Sequence, residues 1–174
     1  MKSIPFWQEQ ATLTSLQDVM FDLQKTAPES TWATRSLGWT TQAIAELTDA
    51  GFTQWWYVPA FPVSALQTLV LPEHRHLVSE VLPAPLFGDG TTGTKAVETY
   101  KAQRDSYVPE CMNLIASLEE SIRTQGFTTS LTLKWENEMA SHIDGLHRII
   151  ALLSTYSATH NPTTVPTYIV CKNA

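Results

Sequence analysis

The stretch "SHIDGLHRIIALL", residues 141–153, joins a short polar pattern to an apolar repeat. The apolar residues recur at the spacing of one buried helical face, which predicts a helix that begins near Gly145. They are Ile149, Ile150, Leu152 and Leu153. The overlapping segment "MASHI" is typical of a strand, so the sequence predicts a strand that turns into a helix at Asp144 and Gly145.

The first turn of such a helix attracts anions, because its N–H groups lack intrahelical acceptors and the macrodipole adds partial positive charge. Gly145 would let the backbone approach a ligand closely, while His147 and Arg148 add donors, Arg148 in a fork that fits phosphate oxygens. Asp144 has two interpretations: an N-cap, or a group that holds a metal-bound water or a ligand hydroxyl. A simpler alternative is a cap, a turn and a surface charge without a ligand.

The segments around this turn predict an α+β fold. A helical stripe that ends at Gly126 is followed by the strand "SLTLKW", a turn at 136–138, the strand "MASHI", the helix and a closing strand "VPTYIVC". We expect a domain over residues 53–174. Its insertion at 71–109 is rich in proline and glycine and has a helix near 96–106.

The N-terminal residues 1–52 predict a helical segment, with amphipathic helices over 9–25 and 40–50 and a C-terminal cap at Gly51. The next stretch, "QWWYVPAFPVSAL", predicts an edge strand or a bent strand whose two tryptophans face opposite sides. In "GDGTTGTK", residues 88–95, a threonine separates the last glycine from the lysine, so the run predicts a flexible loop rather than a phosphate-binding Walker motif.

Composition excludes several classes of protein. With 17 acidic and 11 basic residues and a net charge of −6, the chain lacks material for a basic face, so we expect no nucleic-acid partner. No apolar run reaches the roughly 18 residues of a membrane span, so we expect no membrane association. Cys111 and Cys171 lack the spacing of a metal site and predict buried thiols in the reducing cytoplasm.

Three stretches resemble the ParB/sulfiredoxin-like fold: "SLEESIRTQGFTTSLTL", "HIDGLHRIIALL" and "VPTYIV". Members of that family have a helix ending in glycine, two strands, and a D-G-x-H/R-R motif that opens a helix. The resemblance covers about residues 114–171, with "YVPAFPVSAL" as the family's first strand. It implies a small mixed sheet flanked by helices, and nucleotide phosphates bound by the turn of Gly145, Leu146, His147 and Arg148.

The sequence departs from two branches of that family. Sulfiredoxins carry their catalytic cysteine directly before the His-Arg pair, where this chain has Leu146, so we expect no such reduction chemistry. Partition-type ParB proteins continue into a helix-turn-helix domain that binds DNA. This chain stops soon after the fold would close, so we expect no such domain.

The remaining branch includes free-serine kinases, in which a glutamate after the first strand acts as a base toward the substrate hydroxyl. In "LPEHRHL" the candidate is Glu73, and the alternative is a solvated loop residue. The resemblance therefore implies a phosphotransferase that uses ATP or CTP with Mg²⁺ on the hydroxyl of an amino acid or hydroxy acid. Glu73 and Asp144 are its catalytic candidates.

Other polar residues are accessory candidates. His74 and Arg75 could add phosphate or substrate contacts, and His142 lies two residues before the turn. His142 and His147 could form a metal pair, but no third ligand has suitable spacing, so we expect no metal held by the protein alone.

Two other functions stay open. A nucleotide-dependent regulatory or DNA-associated protein would use the same turn as a switch and would phosphorylate no small molecule. An interaction module with a decayed site would bind no nucleotide.

Overall fold

The computed structural model describes residues 5–26, 31–71, 91–103 and 109–173. These residues form a mixed α+β structure in which helices flank one seven-stranded sheet. The strands are β1 (Thr12–Thr14), β2 (Phe52–Pro62), β3 (Val70–Leu71), β4 (Thr91–Thr92), β5 (Leu131–Glu136), β6 (Met139–Asp144) and β7 (Thr164–Lys172). The α-helices are α1 (Leu16–Thr26), α2 (Thr31–Asp49), α3 (Gly93–Gln103), α4 (Pro109–Gln125) and α5 (Leu146–Thr159).

The sheet is mixed, in the order β1-β2-β7-β5-β6-β3-β4. Strands β7 and β5 are parallel, as are β3 and β6, and the other neighbouring pairs are antiparallel. In the β5–β6 hairpin, Asn137 and Glu138 have φ of 52° and 63°, and positive φ at both central residues is typical of a tight hairpin turn. The predicted turn at 136–138 and the strands around it are confirmed.

Two clusters of buried side chains lie on opposite faces of the sheet. The smaller one joins α1 and α2 to Phe52 and Trp55 of β2, and the larger one joins α3, α4 and α5 to the other face. Trp56 packs against the larger cluster, so the prediction that the two tryptophans face opposite sides is confirmed. The sheet is therefore covered by a helical layer on each side.

Several predictions for the regular elements are confirmed. Helix α4 ends directly before Gly126, and α2 is followed within two residues by Gly51, whose φ of 88° suits a C-terminal cap. The order helix, strand, strand, helix, strand from α4 to β7 agrees with the sequence, and so does the strand-to-helix turn after β6.

The predicted helix over residues 9–25 begins too early. Helix α1 starts at Leu16, and Leu13 lies on strand β1. Ser15 and Asp18 explain the boundary: the Asp18 N–H donates to Ser15 Oγ at 3.1 Å, and the Asp18 carboxylate accepts from the Ser15 N–H at 3.3 Å. This reciprocal cap fixes the start of the helix after Ser15. Helix α2 differs in the opposite direction, because it begins at Thr31, before the predicted start at residue 40.

Strand β2 is not an edge strand, because β1 and β7 pair with its two sides. The register of β2 against β7 shifts between Val58 and Phe61, around Pro59, which agrees with the alternative of a bent strand. Part of "GDGTTGTK" is also regular: Thr91 and Thr92 form β4 and Gly93 begins α3, so the flexible loop is wrong for these residues. Residues 88–90 lie outside the described residues.

Cys171 is a half-buried free thiol on β7, and burial raises its pKa above the ordinary value. The side chain of Cys111 lies outside the described part of the chain.

Within the described ranges, no helix has both the length and the apolar character needed to cross a membrane.

Gly93 allows α3 to pack closely against its neighbours. A Cβ at this position would lie 2.2 Å from the carbonyl oxygen of Leu66 and 2.7 Å from Leu153 Cδ1. Because backbone cannot move away as easily as the end of a side chain, a larger residue must displace the start of α3.

We predict that Gly93→Ala lowers the free energy of unfolding by about 1–3 kcal/mol, because the added methyl group overlaps backbone. Gly38→Ala is the matched control: Gly38 lies exposed in α2 with nothing within 4 Å of its Cβ position. That variant should gain up to about 1 kcal/mol through helix propensity. Urea denaturation of both variants measures the difference, and equal stability would contradict the close approach at Gly93.

Candidate functional site

Strand β6 ends in a carboxylate that bridges the two helical layers. Asp144 Oδ1 accepts a hydrogen bond from Thr40 Oγ1 of α2 at 3.1 Å, and Oδ2 forms an ion pair with Nη2 of Arg148 on α5. The Asp144 side chain is only 13% exposed, and that of Arg148 19%. Each carboxylate oxygen thus has its own donor, which a charge withdrawn from water requires.

The Arg148 guanidinium is fixed by a second contact. Its Nη1 donates to the backbone carbonyl of Ser130 at 2.9 Å, directly before β5. Strand β5 runs antiparallel to β6, so its first residues lie beside the last residues of β6. Arg148 therefore holds together the start of β5, the end of β6 and the first turn of α5.

Gly145 is the N-cap residue of α5, with φ of 97° and ψ of 24°. This left-handed conformation strongly favours glycine. A Cβ there would lie 2.9 Å from Leu131 Cδ2 and 3.2 Å from Nη2 of Arg148. Asp144 is therefore not the N-cap of α5, and no side-chain hydrogen bond of the cap residue closes this end of the helix.

The first hydrogen bond within α5 runs from the Ile149 N–H to the Gly145 carbonyl at 2.8 Å. The N–H groups of residues 146–148 precede it and lie outside the intrahelical ladder. His147 and Arg148 are half-buried at the same turn. The turn thus places a helix N-terminus and a fixed guanidinium next to each other.

His142 is an uncharged histidine beside this turn. Its Nε2 is buried and has no hydrogen-bond partner among the described residues. In the β5–β6 register it pairs with Leu133, a fully buried core residue. Burial lowers the pKa of His142 to about 4, and the positive charge of Arg148 lowers it too, while Asp144 raises it. At neutral pH the imidazole therefore carries no charge.

The structure brings together part of the predicted site. Asp144, Gly145, Leu146, His147 and Arg148 are consecutive at the turn, and His142 lies on the same strand end. Glu73, His74 and Arg75 lie outside the described residues. In the described ranges, no group of three or more His, Cys, Asp or Glu side chains has an arrangement that could hold a metal ion.

Sequence reasoning missed three residues of the turn's surroundings: Thr40, Ser130 and Thr132. Thr40 is 4% exposed and lies one helical turn before the buried Ile44, so a polar residue on an apolar helical face was the available signal. Thr132 is fully buried and pairs with Asp144 in the β5–β6 register. Its hydroxyl has no hydrogen-bond partner among the described residues. Ser130 contributes only a backbone carbonyl, for which the sequence has no signal.

In comparisons with known proteins, no family model, curated protein or solved structure matches the chain.

We predict that His142 makes the fold sensitive to mild acid. Because its pKa is lowered from 6.5 in the unfolded chain to about 4 in the fold, the unfolded chain binds the proton first as the pH falls. The contribution of His142 is complete above pH 6.5 and decreases between pH 6.5 and 4. Between pH 7.5 and 5 the loss should be about 2 kcal/mol.

The measurement is urea denaturation of the wild type and His142→Gln at both pH values. The glutamine variant should lose about 2 kcal/mol less than the wild type between pH 7.5 and 5. His160→Asn is the control, because His160 is exposed and asparagine tolerates its positive φ. Equal losses in the wild type and His142→Gln would contradict a buried neutral imidazole.

Proposed function

We propose that the chain is a ParB/sulfiredoxin-like phosphotransferase. In this proposal a nucleoside triphosphate binds at residues 145–148, and its terminal phosphoryl group is transferred to the hydroxyl of a small amino acid or hydroxy acid. The observation that carries the proposal is the glycine N-cap of α5 with a fixed guanidinium beside it. The D-G-x-H-R resemblance supplies the ligand class.

The turn has the features that a phosphate needs. A helix N-terminus offers backbone N–H donors and partial positive charge, and α5 is 14 residues long, so its dipole is well developed. Gly145 keeps bulk away from this end of the helix, since a Cβ would fill the space against Leu131 and Arg148. An oxyanion at residues 146–148 would therefore meet donors rather than side-chain carbon.

Arg148 contributes although it already pairs with Asp144. A guanidinium has five N–H donors, and the contacts to Asp144 and Ser130 involve Nη1 and Nη2. The remaining donors can reach ligand oxygens without breaking the ion pair. Asp144 lowers the net charge of the turn, so we expect a moderate affinity that depends on the backbone donors as much as on Arg148.

Mg²⁺ enters this proposal with the nucleotide. The carboxylate of Asp144 already accepts hydrogen bonds from Thr40 and Arg148. Asp144 therefore suits a role in orienting Arg148 better than a role as a metal ligand. Mg²⁺ commonly binds through substrate phosphates with few protein ligands, where it neutralises charge between neighbouring phosphates. The residues of the turn then bind and orient the phosphate oxygens.

Glu73 is the proposed base. Strand β3 runs parallel to β6, with Val70 opposite Ser141, so the C-terminal ends of both strands lie at the same end of the sheet. Glu73 follows the end of β3 by two residues in the sequence. The direction of β3 toward the turn thus supports Glu73 as the candidate base.

The reaction that we propose is a direct transfer. The substrate oxygen forms a bond to the terminal phosphorus, the bond from that phosphorus to the bridging oxygen breaks, and the hydroxyl proton passes to the Glu73 carboxylate. The donors of residues 146–148 stabilise negative charge on the phosphate oxygens. ATP or CTP serves as the donor nucleotide, and we place the reaction in the cytoplasm.

We predict that Arg148→Lys weakens ATP binding about tenfold, because lysine keeps the positive charge beside Asp144 and loses the guanidinium fork. Arg123→Lys is the matched control: Arg123 is exposed on α4 and pairs with Glu120. Isothermal titration calorimetry with Mg²⁺-ATP and Mg²⁺-CTP measures both variants. Equal affinities in the wild type and Arg148→Lys would contradict the site.

We also predict that Glu73→Gln lowers turnover at least 100-fold with little change in ATP affinity, because the amide cannot accept the proton. The assay incubates the protein with each triphosphate and a panel of amino acids and hydroxy acids, followed by mass spectrometry. Full turnover in Glu73→Gln would exclude it as the base. Nucleotide binding without any phosphorylated product would favour the regulatory alternative.

A further inference from the structure

The side chain of Thr40 connects the N-terminal helical layer to the candidate site. Thr40 lies on α2, 4% exposed, and its hydroxyl donates to Asp144 Oδ1 at 3.1 Å across 104 residues of sequence. Helix α2 packs against the sheet through Ile44, one turn further along. The contact is therefore held in place by core packing and is not a surface encounter.

The two oxygens of Asp144 have different donors, and this arrangement determines the position of Arg148. Thr40 donates to Oδ1 and Nη2 of Arg148 donates to Oδ2, while Nη1 of Arg148 donates to the Ser130 carbonyl. Without the Thr40 hydroxyl, Oδ1 would be left buried without its donor, which is unfavourable for a charged oxygen. The carboxylate can regain a donor for Oδ1 by rotating so that both of its oxygens accept from the guanidinium in a bidentate pair.

A bidentate pair would occupy more of the donors that a phosphate needs. It would also draw the guanidinium toward Asp144 and away from the carbonyl of Ser130. Both effects act on the guanidinium of Arg148, although Thr40 itself lies on a helix at the opposite face of the sheet from α5.

We infer that Thr40 is a positioning residue: its hydroxyl restricts Asp144 to one contact with Arg148 and so keeps the remaining guanidinium donors available for phosphate. The consequence for phosphate rests on the proposed function, whereas the positioning of Arg148 does not. Through Thr40, helix α2 then contributes to the proposed binding site.

The experiment compares Thr40→Val, Thr40→Ser and Thr41→Val in the full chain. Valine keeps the shape of threonine and removes the donor, and serine keeps the donor. Thr41 is the matched control, because it is exposed on the same helix and donates its hydroxyl to the Leu37 carbonyl at 2.8 Å. Should Thr40→Val fold poorly, Thr40→Cys replaces it, since a thiol is a weak donor of similar size.

The first readout needs no ligand. The Nε–H signal of Arg148 in ¹⁵N-resolved NMR, assigned by its loss in Arg148→Lys, should shift and exchange at a different rate in Thr40→Val. It should stay near the wild-type position in Thr40→Ser and Thr41→Val. A merely structural role for Thr40 would lower stability and leave this signal in place.

The second readout is calorimetric titration with Mg²⁺-ATP. Thr40→Val should bind about five- to tenfold more weakly, with Thr40→Ser near the wild type and Thr41→Val unchanged. An unchanged Arg148 signal in Thr40→Val, or a Thr40→Ser variant that behaves like valine, overturns the inference. If the Arg148 signal shifts in Thr40→Val but the wild type binds no triphosphate, the proposed function is overturned and the positioning role of Thr40 is supported.

Discussion

A largely buried carboxylate at the end of a strand is the constraint on which this structure depends. Asp144 withdraws a negative charge from water, and a charge in that position is tolerable only with a counter-charge and hydrogen-bond donors. The fold provides both, one from each helical layer, through Arg148 and Thr40. Because each donor must reach the same strand end, the carboxylate fixes where α2 and α5 lie relative to the sheet.

The buried carboxylate also fixes the conformation of the turn after β6. Arg148 is held by the carboxylate and by the carbonyl of Ser130, and Gly145 takes the left-handed conformation at the N-cap of α5. A flexible lysine or arginine at a helix start would pay side-chain entropy on binding an anion. Here that entropy is already lost on folding, which supports the proposed phosphate binding.

The sequence predicted those parts of the fold whose signals are local. The stripe of α4, the hairpin of β5 and β6, and the start of α5 each carry a strong periodicity or a turn residue such as Gly126 or Gly145. The start of α1 was also encoded locally, in the Ser15 and Asp18 pair, but the apolar spacing of Leu13 outweighed it. The strand position of β2 between β1 and β7 depends on pairings that are distant in sequence, so no local pattern could reveal it.

For the site, the sequence identified the consecutive residues and missed the ones that meet them in space. Asp144 to Arg148 form one motif, whereas Thr40 is 104 residues away and Ser130 acts through its backbone. The N-cap is also decided by conformation: Asp144 is a favourable cap by type, yet its carboxylate bonds to Arg148 and Thr40 and Gly145 takes the cap position. Tertiary partners decide between such alternatives.

The order of the strands has a consequence for synthesis of the chain. Strand β7 follows every other strand in the sequence, yet it lies between β2 and β5 and joins the two halves of the sheet. Until residues 164–172 have left the ribosome, β1 and β2 have no link through the sheet to the hairpin that carries Asp144. During that period the strand edges of β2 and β5 that later pair with β7 are unpaired, and unpaired strand edges make a partly folded chain prone to aggregation.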